Sequence, residues 1–103
     1  MGINSNIDIL KKVADIERLK CQLLSNTADF FMATAEPNGN NTCSDILCIL
    51  LSKVYLLAAQ HGISFEELDT KTAAKLRNQI LDNMFDDSDS ATQNLLRHLT
   101  GRE

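Results

Sequence analysis

At 103 residues the chain is long enough for one domain with a modest core and too short for two ordinary ones. A net charge of −4 argues against general binding to nucleic acid or to an anionic membrane, where basic patches are expected. With 44% apolar and 23% charged residues, the balance is that of a soluble globular protein.

The opening MGINSNIDILKK has no basic stretch ahead of an apolar one and does not read as an export signal. The expected location is cytoplasmic. Cys21, Cys43 and Cys48 are odd in number and lack CxxC spacing, so they are expected as reduced thiols buried on helices rather than as metal ligands.

Apolar residues recur at helical spacing throughout, and no sustained two-residue alternation marks a strand. The first element is a long helix over about Ile7 to Thr34, bent near Asp15. Ile9, Val13, Ile16, Leu19, Leu23, Phe30 and Phe31 form its apolar stripe. EPNGNN holds the only proline and is the clearest loop; helical patterns on both sides make it a helix connection rather than a strand hairpin. Asn41 or Thr42 is placed to cap a second helix that runs to Gln60, with Gly62 at the left-handed position beyond its end. Ser64 and Glu67 have capping-box spacing at the head of a third helix, which carries Phe65, Leu68, Leu76 and Ile80 to about Asn83. FDDSDS reads as an acidic turn, and a last helix spans about Ser90 to Thr100.

In the second helix Ile46, Leu47, Ile49, Leu50, Leu51, Val54, Tyr55, Leu56 and Leu57 cover nearly the whole circumference. A helix of this kind is expected to be buried on most sides, and one short chain has few helices to surround it. The expectation is therefore an all-α bundle of about five helices, a single domain over 1–103, with its core completed by a homodimer or a higher symmetric oligomer. The run from Ile46 to Ala59, broken by Ser52 and Lys53, is short for a membrane span.

The order of a long helix, a loop, an apolar helix opening near Asp45, and then YLLAAQHGISFEELDTKTAAKLR resembles the MazG-like family of all-α nucleoside triphosphate pyrophosphohydrolases, in particular its short members. The resemblance runs from about Ile16 to Ile80. In active members one helix carries Glu-Glu-x-x-Glu and the next carries Glu-x-x-Asp. Residues three and four apart share a helix face, so two such helices aim several carboxylates at magnesium, which offsets the triphosphate charge and activates water.

Set against that pattern, Ser25 and Asn26 in LLSNTADFF stand where paired glutamates belong, and Asp29 stands at the third acid. In NTCSDIL, Thr42 replaces a glutamate and Asp45 matches the aspartate. The resemblance thus implies Asp29 and Asp45 as magnesium ligands. It implies Asn26 and Thr42, with Lys71, Lys75 and Asn78 on one face of the third helix, as substrate-binding groups. The residues alone leave other readings open: Asp45 as a first-turn acid favoured by the helix dipole, Asp29 as part of a solvated face, and the lysines likewise.

Four functions follow. The first is a nucleotide-binding or regulatory relative with weak or absent hydrolysis. The second is an active pyrophosphohydrolase whose site draws on Glu17, Glu36, Glu66, Glu67 or Asp69. The third is a non-catalytic helical interaction module. The fourth, suggested by Ala58, Gly62, Ile63, Ser64 and Leu68, is a DNA-binding helix-turn-helix. It ranks last because Glu66, Glu67 and Asp69 open the would-be recognition helix.

Overall fold

The computed structural model describes residues 2–82 and 90–101. Among them are four α-helices and no strand: α1 (Gly2–Thr34), α2 (Asn40–Gln60), α3 (Phe65–Asp82) and α4 (Ser90–Thr100). The fold class is as expected, with four described helices in place of about five. The first expected helix is a single element that continues through Asp15. Apart from Ser90, the expected acidic turn lies outside the described residues. The chain divides into two compact units, Met1–Gly62 and Ile63–Glu103.

In the first unit α1 and α2 pack on one another across the short connection Ala35–Gly39 and so form an antiparallel helical hairpin. The centre of the buried face follows a three-and-four spacing. Ile16, Leu19, Leu23, Asn26, Phe30 and Ala33 line α1; Cys43, Ile46, Leu50, Lys53 and Leu57 line α2. That spacing is the seam of a coiled-coil-like pair. Thr27 fits beside it because its hydroxyl donates to the Leu23 carbonyl, 2.7 Å away, and asks for no other partner.

Two parts of the expected α1 stripe fall outside the seam. Ile9 and Val13 are exposed because α2 has 21 residues against the 33 of α1, so the first turns of α1 overhang it. Phe31 is exposed because it follows the seam residue Phe30 and points about 100° away.

The connection depends on Gly39. The Gly39 amide donates to the Glu36 carbonyl (3.3 Å), and the Cys43 amide donates to the Gly39 carbonyl (2.8 Å), closing the first turn of α2. A Cβ on Gly39 would run into the Ala33 carbonyl oxygen, so the requirement here is close approach, not an unusual φ. Gly39 is itself the N-cap, with no side-chain cap bond, which corrects the expected cap at Asn41 or Thr42. At the other end Gly62 has φ 76° and its amide donates to the Ala59 carbonyl (3.0 Å), the left-handed stop read from the sequence.

Within the α1–α2 hairpin, α2 is not buried on most sides. Leu47, Ile49, Leu51, Val54 and Leu56 are 42–58% exposed, and the only buried residue of the helix is Ala58. The cysteines are corrected in the same way: Cys21 and Cys48 are exposed and Cys43 is half-buried, all as free thiols. In the hairpin each helix covers only one face of the other, and both results follow from that.

In the second unit α3 packs on α4 through half-buried Leu68, Thr72, Leu76 and Ile80 around buried Ala73, facing half-buried Leu96 and Leu99. Ser64 caps α3 by accepting from the Glu67 amide at 3.0 Å. The Glu67 carboxylate is engaged by Lys71 at 2.9 Å, so the serine half of the capping box is present while the glutamate reaches forward along the helix.

Candidate functional site

One flank of the α1–α2 hairpin carries a cleft of about 350 Å³ near the connection, lined by Asp29, Met32, Ala33, Glu36, Gly39, Thr42 and Ile46. Helical spacing explains the set. Asp29, Met32 or Ala33, and Glu36 follow one another at turn intervals along and just past the end of α1. Thr42 and Ile46 are one turn apart at the start of α2. Ala33 and Gly39 form the floor, where the two backbones approach most closely.

The predicted residues divide as follows. Asp29 and Thr42 come together in the cleft wall. Asp45 is exposed and is not in that wall; three residues after Thr42, it lies on the same flank but about 60° further round from the seam. It is also the sixth residue of α2, beyond the first turn, which removes most of the helix-dipole account of it. Asn26 is half-buried in the seam itself, one turn before Asp29, and its Oδ1 accepts from Lys53 Nζ at 2.9 Å. Lys71, Lys75 and Asn78 are exposed on α3 in the other unit, with Lys71 paired to Glu67.

Of the additional acids, Glu36 lines the cleft. Glu17 is paired with Lys20 at 3.0 Å. Among the described residues no three histidine, cysteine, aspartate or glutamate side chains are grouped to hold a metal ion. Asp29 and Glu36 offer oxygen donors to an open cleft. The two are seven residues apart, about two helical turns, so the lining would offer a magnesium one carboxylate with waters and ligand phosphates for the rest, and it is too small for several ions.

Sequence reasoning passed over Lys53, treating it only as a break in an apolar run. The signal was its register: Lys53 follows Cys43, Ile46 and Leu50 at the seam spacing, so a charged group had to enter the helix–helix contact.

The described residues form an all-helical chain whose first unit is a two-helix hairpin, with a cleft on one flank lined by Asp29 of α1, Glu36 of the connection and Thr42 of α2. The chain belongs to the MazG-like family, whose model matches residues 9–93. This makes it a relative of the nucleotide pyrophosphohydrolases. No curated protein and no solved structure matches it.

Proposed function

We propose that this chain is a MazG-like protein with weak or absent nucleoside triphosphate hydrolysis that retains a nucleotide-binding or regulatory role. The observation that carries the reading is the make-up of the cleft: Asp29 faces a neutral Thr42, and Asn26, at a position where the family pattern calls for glutamate, is held by Lys53. A triphosphate needs its charge offset, and each carboxylate missing from a metal-holding set weakens that offset, often by orders of magnitude in rate. Magnesium, where bound, is held by Asp29 with waters and phosphates, and Asp45 approaches from the neighbouring face.

The assay is pyrophosphate release from a panel of nucleotides with magnesium or manganese, alongside binding measurements. Tight binding without turnover supports the reading. Robust turnover lost in both Asp29→Asn and Asp45→Asn overturns it in favour of a working enzyme. Neither binding nor turnover leaves a helical interaction module as the account of the protein.

A second reading is favoured by one observation. Glu36 shares the cleft with Asp29, so an active enzyme with a rearranged site would use this pair. Turnover abolished by Glu36→Gln is its signature.

The proposed assembly is a homodimer or higher symmetric oligomer built on α2. That helix is long and apolar enough to cross a membrane by length and composition. A protein partner accounts better for it, because the helix carries the charged Lys53 and Asp45, and Lys53 already bonds Asn26 of α1 at 2.9 Å.

A further inference from the structure

Lys53 is half-buried in the α1–α2 seam, and among the described residues no carboxylate lies within ion-pair distance of it. Its one hydrogen bond goes to a neutral group, Asn26 Oδ1 at 2.9 Å. An ammonium has three donors and no acceptor, so among the described residues two of its donors and its charge have no protein partner, while half-burial keeps it open to solvent. A lysine in a helix seam is costly to keep unless its charge meets an anion or reaches water.

The position of the ammonium is informative. Asn26 lies three residues before Asp29 on α1, about 4.5 Å along the axis, so the Lys53 head group sits one turn beyond the cleft's carboxylate. On α2, Lys53 comes eleven residues after Thr42, about 20° round the helix from it but about 16 Å further along the axis, so it stands on the same flank and adjoins the cleft at the Asp29 end. A ligand with two or three linked phosphates, lying along this flank from the cleft, reaches the ammonium.

We infer that Lys53 is an anion-binding residue of this site. Its ammonium, aimed by Asn26, contacts the phosphates of a polyphosphate ligand and supplies fixed positive charge where the carboxylates for several metals are missing. The inference deepens the nucleotide reading and rests on it for the nucleoside. The contact with phosphate stands apart from that. It also has a consequence of sign: without metal, Asp29 repels the same phosphates that Lys53 attracts.

Inorganic triphosphate in the presence of EDTA is the probe, with affinity followed by calorimetry. The wild-type protein is expected to bind, more weakly as salt is raised. Lys53→Met is expected to weaken binding at least tenfold, Lys53→Arg to keep most of it, and Asp29→Asn to tighten it. Lys53→Met places an apolar side chain in an apolar seam and should fold; circular dichroism and a thermal melt check this. In the wild-type protein, the Lys53 Nζ resonance, assigned by its loss in Lys53→Arg, is expected to shift on adding triphosphate, which keeps the test independent of the methionine variant.

Unchanged affinity in a folded Lys53→Met protein overturns the inference and leaves Lys53 as a group that fixes the hairpin register. Binding that appears only with magnesium and ignores Lys53, or no binding in EDTA, overturns it as well. If ATP binds no tighter than inorganic triphosphate while Lys53→Met still weakens both, the nucleotide reading fails and the Lys53 assignment stands.

Discussion

At Gly39 the backbone of the connection comes so close to the Ala33 carbonyl that no side chain fits, and the same glycine starts α2 through its own carbonyl. Gly39→Ala must move one of the two backbones. It is expected to destabilise the hairpin by about 1–3 kcal/mol, the usual range for forcing extra volume into a packed site. A denaturant titration followed by circular dichroism checks this, and an unchanged midpoint contradicts it. The reason for this glycine was not legible in EPNGNN. The Asn-Gly pair announced a turn, but only the closed hairpin shows Ala33 from the previous helix beneath it. Lys53 teaches the same lesson from the other side. Its register was readable, its partner Asn26 was not, because the two are 27 residues apart in the chain.

At the scale of the elements, residue types marked the end of α2 and the start of α3 but not the start of α2, which Gly39 caps in place of Asn41 or Thr42. Gly62 stops α2 and Ser64 starts α3 as their residue types require. Ser64→Ala removes the acceptor for the Glu67 amide and is expected to cost about 1 kcal/mol of helix stability. Amide hydrogen exchange in the first turn of α3 should quicken, and unchanged protection there would show that the cap contributes nothing. Exposure was harder to foresee. The circumference of α2 is apolar as read, yet Leu47, Ile49, Leu51, Val54 and Leu56 remain about half exposed beside a single packing partner. Burying five such side chains is worth several kcal/mol, on the order of 1 kcal/mol or more each for the half that is open. Light scattering at micromolar concentration is therefore expected to give a dimer or larger species, and Leu51→Glu, with Leu56→Glu, to shift it toward monomer. A monomeric wild-type protein contradicts the assembly.

For the whole molecule, the acids at the head of α3 argue against recognition of duplex DNA. Glu66 and Glu67 occupy its first turn, where a DNA-reading helix needs donors and positive charge. No salt-sensitive affinity for duplex DNA is expected in a gel-shift series from low to moderate salt; tight binding that falls steeply with salt would reverse this. The proposed polyphosphate site and the DNA reading thus differ in where cations stand: one half-buried lysine on the hairpin against acids on α3.

The sequence by itself determined the all-helical class, the end of α2, the start of α3, the end of α4 and the family, because periodicity, capping residues and motif register are local properties written along the chain. It also placed Asp29 and Thr42 at motif positions that meet in the cleft. The tertiary structure decided what depends on two segments meeting: that Glu36 joins Asp29, that Asp45 stands aside from that wall, that Asn26 is held by Lys53, and that Gly39 is fixed by Ala33. Antiparallel packing sets these pairings. Which residue of α1 lies beside which residue of α2 follows from the length of the connection and the fit of the seam, and neither is a property of one helix alone.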